Sequence, residues 1–340
     1  MARSSATRPD QAKGPVTLQD VADAAGVSQT TASQALNNKG RVNQKTRERI
    51  ERIAANLGYV ANPRARSLKT GRAMILLTEL PGVRGDSGIY SGFMGELLIG
   101  AADAAMASGY LMMIGGPEVG HSPNLICDGA VLVDPYPEDP LFELAPAVVT
   151  VGQMVDADDD WPWVDNDHHA AVQATLDHLQ DEGFQRPALL TAFGSFSFAE
   201  NSVRAYEEWM TARGRQGIVE RIAPHPDLEQ GRIAVTELLD RPDPPDAILT
   251  SSEPLALAAL EIIERRGMSV PGDVGLVNLY DSETLRTARI PITAVELRPR
   301  EVGHRAVEIL IQQIADDGTS PRSALVGATL TLRASTLRGG

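Results

Sequence analysis

Apolar residues near the start of the chain recur at the spacing of helices. Leu18, Val21 and Ala25 share one face of a first helix, which follows the capping residue Thr17 and ends at Gly26. The same spacing predicts two further helices, over Gln29–Leu36 and Gln44–Leu57. The second helix has a small apolar stripe and a polar outer face. Short polar side chains on such a face suit hydrogen bonding to base edges and phosphates in a DNA major groove.

From Ala73 onward, short apolar runs alternate with amphipathic segments. This alternation predicts strands joined by helices, and therefore parallel sheets. The predicted strands are MILLTEL, YLMMIGG, GAVLVDP, AVVTVGQ, PALLTA, GIVERIA, AILTS and DVGLVNL, with further strands at Pro291–Glu296 and in ATLTLRAST. The predicted helices are Phe93–Ser108, Ala170–Glu182, Glu200–Ala212, Gly231–Leu239, Pro254–Arg266 and Pro299–Ala315.

The net charge of −14 is divided unevenly along the chain. Residues 1–72 contain 13 Lys and Arg against 5 Asp and Glu, whereas the remaining residues contain 18 against 40. A basic segment attracts phosphates and an acidic body is repelled by them. We therefore expect a DNA-binding head whose affinity falls steeply with salt concentration.

Composition narrows the possible classes of protein. The 340 residues suffice for two or three domains, and there is no long apolar run that would predict a membrane span. The stretch MARSSATRPDQAKGP lacks the apolar core of a secretory signal, and the single Cys127 allows no intrachain disulfide. These features predict a cytoplasmic, nucleoid-associated protein with no membrane partner.

Three consecutive segments carry a family resemblance: DVADAAGVSQTTASQALN, VNQKTRERI and LGYVANPRARSL. They closely resemble the N-terminal headpiece of LacI/GalR-family bacterial transcription regulators. The polar composition of residues 1–15 predicts a disordered tail, and the resemblance implies a helix-turn-helix domain over 16–61, a hinge helix over 62–72 and a regulatory domain over 73–336. The alternative, an ordinary bundle of three amphipathic helices, does not account for the basic segment that follows.

The resemblance also implies which headpiece residues contact DNA. The base-reading positions are Gln29, Thr30 and Gln34. Many relatives have Arg where Gln34 stands, and Gln prefers the adenine edge where Arg prefers guanine, so we expect an operator half-site that differs from the common one. Positions that resemble phosphate contacts are Thr17, Ser28, Thr31, Ser33, Asn37 and Tyr59. Helix capping or packing is the alternative role of these residues, and for Ser28 both roles apply.

The segment Asn62–Thr70 resembles the hinge helix of the family. Its apolar residues are only Ala65 and Leu68, too few for it to fold alone. The resemblance implies that it folds on DNA beside a second hinge, with Asn62, Arg64 and Ala65 among its contacts. Leu68 would then be the wedge that enters the minor groove and kinks the duplex. The alternative is that Leu68 packs against its own domain.

The rest of the chain resembles the regulatory body of the same family, which is itself similar to periplasmic sugar-binding proteins. It implies two lobes with doubly wound parallel sheets and a ligand cleft between them. The expected lobes are residues 73–163 with 292–318, and residues 164–291 with 319–336. Only PEVGHSPNLIC separates the second and third strands, where the family has a long helix and loop. Part of the first lobe is therefore expected to be missing.

The effector-binding positions of the family are only partly retained. The Arg that grips the effector aligns with Ser202, and Arg204 lies two places away. A sugar site needs planar polar groups and an aromatic face. The residues expected to supply them are Phe93, Arg204, Glu253, Tyr280, Asp281 and Trp161. The alternative role of each residue is that of a core, cleft-wall or capping residue. The expected ligand is a sugar-like effector, and the alternatives are that the pocket binds another ligand or none.

Other polar clusters are weaker indications of function. His168 and His169 lack a third ligand at metal-binding spacing and are expected to form a surface pair at a helix N-terminus. The acidic run Asp156–Asp160 lacks the glycine-turned loop of a calcium site. No nucleophile motif or phosphate-binding loop indicates an enzyme, and no cofactor is expected.

The function predicted from these features is that of a homodimeric repressor. It would bind a palindromic, double-stranded operator and respond to a small, sugar-like effector in the interlobe cleft. The alternative keeps the DNA-binding role but places control with another ligand or with a protein partner.

Overall fold

A computed structural model describes residues 16–36, 40, 42–59, 71–81, 91–154, 161–194, 197–224, 226–315 and 323–338. The chain divides into two compact units after Ala73. We call the first unit the headpiece and the second the body. Within the described ranges, no helix is long and apolar enough to cross a membrane.

The described part of the headpiece contains the three predicted helices: α1 (Leu18–Ala25), α2 (Gln29–Leu36) and α3 (Gln44–Leu57). Thr17 and Asp20 cap α1 reciprocally, with the Thr17 N–H donating to Asp20 Oδ2 at 2.8 Å. Gly26 ends α1 because its left-handed backbone, with φ of 63°, disfavours other residues. The helices meet in a small apolar core, whose buried members are Val21, Ala22, Ala25, Ala32, Ala35, Ile50 and Ala54.

The body alternates strands and helices, as the hydrophobic pattern predicts. Its strands are β1 (Ile75–Glu79), β2 (Leu111–Gly115), β3 (Gly129–Val133), β4 (Val148–Val151), β5 (Trp163–Asn166), β6 (Pro187–Thr191), β7 (Ile218–Arg221), β8 (Ala247–Thr250), β9 (Gly275–Asn278), β10 (Thr293–Glu296), β11 (Ser323–Val326) and β12 (Thr329–Thr331). Its helices are α4 (Ser91–Ala107), α5 (Leu141–Leu144), α6 (His168–Asp181), α7 (Ser197–Ala212), α8 (Leu228–Leu239), α9 (Glu253–Arg265), α10 (Glu283–Thr287) and α11 (Pro299–Ala315). The strands β5 and β11 and the short helices α5 and α10 have no counterpart in the sequence prediction.

The strands form two sheets, one for each lobe. The first sheet has the order β11-β5-β4-β3-β1-β2, and the second has the order β12-β10-β9-β8-β6-β7. Neighbouring strands are parallel, apart from β12, which runs antiparallel to β10. The predicted class of two lobes with parallel, doubly wound sheets is confirmed.

The expected lobe boundaries are wrong at three strands. The strand β5, most of which was expected in the second lobe, pairs with β4 in the first sheet. The strand β10, expected in the first lobe, pairs with β9 in the second sheet. The strand β11, expected in the second lobe, pairs with β5 in the first sheet. The hydrophobic pattern of a strand reports its burial but not its partner, so pattern alone could not place these crossovers.

One face of the first sheet is covered by α4 and α11, which approach very closely. An ideal β-carbon at Gly100 would lie 1.9 Å from the carbonyl oxygen of Arg300, and one at Gly303 would lie 2.0 Å from that of Leu97. Only glycine permits this distance between the two helix backbones.

The connection between β2 and β3 is as short as the sequence predicts. It contains a 3-10 turn at Pro117–His121 in place of a long helix. Leu111 and Ile114 of β2 are 62% and 55% exposed, and Ile126 of the connection is 65% exposed. The first lobe therefore presents apolar side chains where a longer connection would supply covering residues.

Candidate functional site

The N-termini of α1 and α2 are held by residues that were predicted to contact phosphate. Thr31 N–H donates to Ser28 Oγ at 3.1 Å, and the two hydroxyl oxygens are 2.8 Å apart. Thr17 caps α1 in the same way. Helix N-termini carry partial positive charge, so these caps lie where a phosphate would be stabilised.

The outer face of α2 has the character expected of a base-reading surface. Ala32 and Ala35 are completely buried and orient the helix toward the headpiece core. Gln29, Thr30 and Gln34 lie on the exposed side. Their amide and hydroxyl groups can both donate and accept hydrogen bonds, as the edges of bases require.

Gln34 lies against the backbone of Gly40. An ideal β-carbon at Gly40 would be 2.7 Å from Gln34 Cδ, and Gly40 has a φ of 75°. A larger residue at position 40 would therefore displace the Gln34 side chain. The sequence pattern does not reveal this neighbour of Gln34, because nothing in the local pattern connects Gly40 with α2.

The other predicted DNA contacts are divided between described and undescribed residues. Thr31, Ser33 and Tyr59 are half-buried. Tyr59 packs against the headpiece core, and burial raises the pKa of its hydroxyl. The predicted contacts outside the described residues are Asn37, Asn62, Arg64, Ala65 and Leu68.

A cavity of about 90 Å³ lies between the two lobes of the body. Asp134 and Gly152 enter it directly after β3 and β4 of the first sheet, and Ser251 and Tyr280 enter it after β8 and β9 of the second. The carboxyl ends of parallel strands are where open α/β sheets bind ligands. We call this space the interlobe cavity.

Asp165 is the centre of a buried polar network in the interlobe cavity. Its carboxylate lies 3.2 Å from His168 Nε2 and accepts a hydrogen bond from Ser197 Oγ at 2.9 Å. The backbone N–H groups of Gln153 and Asn166 also donate to it. Burial by itself would raise the pKa of Asp165, but His168 and these donors outweigh burial and lower it.

Asp134 is a second acid in the interlobe cavity, and its side chain has no hydrogen bond to another described residue. Burial, followed by the charge of Asp165, raises its pKa to about 7 against the opposing effect of His168. The Asp134 carboxyl group is therefore near half-protonation at neutral pH. Its φ of 46° places it in the left-handed region, an uncommon conformation that occurs often at functional sites.

Hydroxyl groups complete the polar lining. The serines of the interlobe cavity are Ser197, Ser202, Ser251 and Ser252. Ser252 is only 4% exposed, and within the described chain its Oγ has no hydrogen-bond partner. A buried polar group left unpaired costs about 1–3 kcal/mol. The cavity thus offers a hydrogen bond that the protein itself leaves unmade.

Two of the residues predicted to bind an effector, Phe93 and Tyr280, do line the interlobe cavity. Their ring centroids are 6.0 Å apart in an edge-to-face arrangement. Phe93 packs against the cores of both lobes. An ideal β-carbon at Gly92 would lie 2.5 Å from the Tyr280 hydroxyl, so the two lobes are in contact here.

Two other predicted effector contacts, Asp281 and Glu253, are engaged within the second lobe and do not line the interlobe cavity. Asp281 is paired with Arg333 at 2.8 Å and with Arg286 at 2.9 Å. Glu253 accepts a hydrogen bond from the hydroxyl group of Ser282. In this arrangement both acids are bonded within the lobe, and their contact with a ligand stays a prediction.

Arg204 and Trp161 also lie away from the interlobe cavity, and their predicted role likewise stays a prediction. Arg204 is exposed on α7 and donates to Asn201 Oδ1 at 2.6 Å. Because a helix turns by about 100° per residue, it faces away from Ser202, which lines the cavity. Trp161 packs on Phe142, with 5.0 Å between ring centroids, in a different core of the first lobe.

His168 was expected at the surface, and this prediction is wrong. It is 9% exposed and lines the interlobe cavity, whereas His169 is at the surface beside Glu208. The segment VDND, at Val164–Asp167, could have indicated the position of His168. Its first three residues end β5, and residues just after a parallel strand line the cleft. The described residues contain no group of three or more His, Cys, Asp or Glu that could hold a metal ion.

Comparison with known proteins finds family matches for both the headpiece and the body. Residues 17–62 match the family model of bacterial regulatory proteins, lacI family, and residues 176–336 match that of the periplasmic binding protein-like domain. The chain is 30% identical over 344 residues to the HTH-type transcriptional regulator AglR of Rhizobium meliloti (strain 1021), with 95% of this chain and 94% of AglR covered. It is 27% identical to the HTH-type transcriptional repressor CytR of Escherichia coli (strain K12), covering 94% and 96%.

Solved structures are similar over almost the same length. The transcriptional regulator CelR–cellobiose complex matches with a TM-score of 0.70 and 25% identity, covering 94% of this chain and 99% of CelR. The lac repressor dimer bound to operator and the anti-inducer ONPF matches with a TM-score of 0.71 and 23% identity, covering 95% and 100%. With a capped helix-turn-helix headpiece, a two-lobed body and end-to-end similarity to AglR, the chain belongs to the LacI family of DNA-binding bacterial transcriptional regulators.

Proposed function

We propose that this protein is a homodimeric repressor that binds a palindromic operator through two copies of α2. The observation that supports this most directly is the exposed polar face of α2, with Gln29, Thr30 and Gln34 opposite the buried alanines. A two-fold dimer would place the two helices in successive major grooves, about 34–36 Å apart. The similarity to the lac repressor dimer bound to operator supports the same arrangement.

The other headpiece positions divide into two roles in this proposal. The residues proposed to contact phosphates and set the register are Thr17, Ser28, Thr31, Ser33, Asn37 and Tyr59. The residues proposed to contact DNA from the hinge are Asn62, Arg64, Ala65 and Leu68, with Leu68 as the minor-groove wedge.

Footprinting of the full chain on the promoter region of its own gene tests the operator proposal. A protected near-palindrome at low salt is the expected result. A variant with both Gln29→Ala and Gln34→Ala should lose the footprint, because it lacks two base-reading amides. Gln19→Ala is the matched control, since Gln19 is exposed on α1 and bonded to Asp23. Absence of any protected palindrome would contradict the proposal.

We further propose that a small, sugar-like molecule in the interlobe cavity controls operator binding. Its effect would depend on different affinities for two lobe arrangements. The polar lining of the cavity and the likeness to the CelR–cellobiose complex support this view.

A second candidate for control is another ligand or a protein partner. Two observations favour it: the interlobe cavity measures only about 90 Å³, and Arg204 lies outside it. Ligand pockets commonly occupy about 300–1,000 Å³. Calorimetry of the full chain with sugars and nucleosides separates the candidates. Binding of a sugar would favour the first, whereas its absence would favour the second.

A further inference from the structure

We propose that the interlobe cavity takes a small hydroxylated amine, cationic at neutral pH. Its ammonium group would lie between Asp134 and Asp165, and its hydroxyl group would meet Ser252. This inference rests on the proposed function only in treating the cavity as the effector site. It differs from the sugar-like effector in charge and in size, and both differences follow from the residues that line the cavity.

The charges of the lining favour a cation. The ionisable residues there include two acids, Asp134 and Asp165, and one base, His168. His168 is already bound to Asp165, at 3.2 Å. The described lining residues include no Lys or Arg. An anionic ligand, such as a sugar phosphate, would therefore meet two carboxyl groups without a free cation to offset its charge, whereas an ammonium group would relieve the repulsion between them.

The two acids border the same small space beside Gly152. An ideal β-carbon on Gly152 would lie 2.7 Å from Asp134 Oδ1 and 2.9 Å from Ser197 Oγ. Ser197 Oγ in turn donates to Asp165 Oδ2 at 2.9 Å. An ammonium group has three N–H donors and no acceptor, and its hydrogen bonds to carboxylates are among the strong ones in proteins.

A polar atom without a partner indicates that the protein alone does not complete this site. Ser252 Oγ is buried and unpaired within the described chain, and it lines the same cavity. Buried polar groups are nearly always hydrogen-bonded in native proteins, so this hydroxyl group points to a ligand. The Asp134 carboxyl group is half-buried and makes no hydrogen bond to a described residue, so it is available to a donor from the same ligand.

The volume limits the size of the ligand. A cavity of about 90 Å³ can hold several water molecules, each of which needs roughly 10–15 Å³ by this measure, but it is well below the roughly 300–1,000 Å³ that is common for ligand pockets. A compact amine with one or two hydroxyl groups fits the arrangement as it stands.

Calorimetry of the full chain at pH 7.5 with matched pairs of probes tests the proposal. Ethanolamine is compared with ethylene glycol, and 3-amino-1,2-propanediol with glycerol. Each amine is expected to bind at least about tenfold more tightly than its hydroxyl counterpart. A tenfold difference in affinity corresponds to the net contribution of one hydrogen bond to a charged group. Asp134→Asn should abolish this preference, and Glu143→Gln, which neutralises an exposed acid outside the cavity, should retain it.

A second measurement uses the unaltered protein, so that the result does not depend on whether the Asp134→Asn variant folds. An ammonium group lowers the pKa of the Asp134 carboxyl, so amine binding near pH 7 should release a fraction of a proton, measured in two buffers of different ionisation enthalpy. If neither amine exceeds its counterpart, or if no proton is released, the proposal is overturned. Because these experiments contain no DNA, their failure is distinct from a failure of the operator proposal.

Discussion

Gln34 of α2 is exposed, and its side chain lies beside Gly40. Its amide can match the two hydrogen-bonding atoms of an adenine edge. Discrimination at a base pair by such a contact amounts to about 1–3 kcal/mol. One residue of α2 can therefore decide the identity of one operator position.

Gln34→Arg should change the preferred base at that position from adenine toward guanine. Arg donates to the guanine O6 and N7 atoms, which Gln does not match. Competition among operator half-sites that differ at each base pair measures the change, expected to be about tenfold or more. Gln44→Arg adds the same charge at the start of α3 and should strengthen binding to every half-site alike. An unchanged preference in Gln34→Arg would contradict the role of Gln34.

Glu79 at the end of β1 is a buried acid outside the proposed DNA-binding surface. It is 4% exposed, and its Oε2 has no partner in the described chain. Burial, followed by the nearby Asp139 and Glu118, raises its pKa from 4.5 to about 7. An acid with a raised pKa in the folded state stabilises the fold at low pH, and this contribution is lost as pH rises through the folded pKa.

Glu79→Gln should therefore raise the free energy of unfolding at pH 8 and change it little at pH 4.5. The uncharged amide resembles the protonated acid, which is the form that the fold prefers. The gain at pH 8 is expected to be on the order of 1 kcal/mol, measured by urea denaturation at both pH values. Glu143→Gln, at an exposed acid, should have no such pH dependence. Equal effects of Glu79→Gln at both pH values would refute the shifted pKa.

At the scale of elements, Asn166 at the end of β5 connects the three segments that cross between the lobes. Its Nδ2 donates to the carbonyl oxygen of Leu297, after β10, and to that of Val326 in β11, the latter at 3.3 Å. Asn166 is 3% exposed. Arg298, beside one of these carbonyls, has a φ of 47°, so the crossover backbone is held in an uncommon conformation.

Asn166→Ala should lower the stability of the body by about 1–3 kcal/mol, because two buried carbonyl groups would lose a donor. The urea midpoint of the full chain, followed by circular dichroism, measures this loss. Asn201→Ala is the matched control, since among the described residues the Asn201 side chain bonds to the exposed Arg204 alone. Indistinguishable midpoints for the two variants would show that the crossovers do not depend on Asn166.

At the scale of the whole molecule, basic and acidic residues are unevenly distributed between the start of the chain and the remainder. The first 72 residues carry a surplus of basic side chains, and the rest of the chain carries 40 acidic against 18 basic residues. Binding to DNA releases counterions in proportion to the phosphates that are contacted. The acidic remainder disfavours contacts with DNA other than those of the basic segment.

Operator affinity should consequently fall by about 10³–10⁵ between 50 and 200 mM salt, if roughly six to ten phosphates are contacted. Fluorescence anisotropy with labelled operator over this range gives the slope of log affinity against log salt. DNA of unrelated sequence should show a comparable slope with weaker affinity. A flat salt response would contradict an interface built on phosphates.

The sequence by itself determined the headpiece helices and the parallel α/β class of the body. The helix ends depend on nearby residues: Thr17 and Asn43 cap α1 and α3, and Gly26 and Gly58 end them. Apolar spacing along a single element determines which face it buries. These causes act within a few residues, so a pattern along the chain is sufficient to reveal them.

Only the tertiary structure decided which strands share a lobe and which side chains meet in the interlobe cavity. Strand pairing joins β5 to β11, residues more than 150 positions apart. Asp134, Asp165 and Ser252 come from separate parts of the chain, and a rotation by two residues along α7 places Ser202 inside and Arg204 outside. Contacts between distant segments depend on the packing of the whole lobe, which periodicity along one element does not encode.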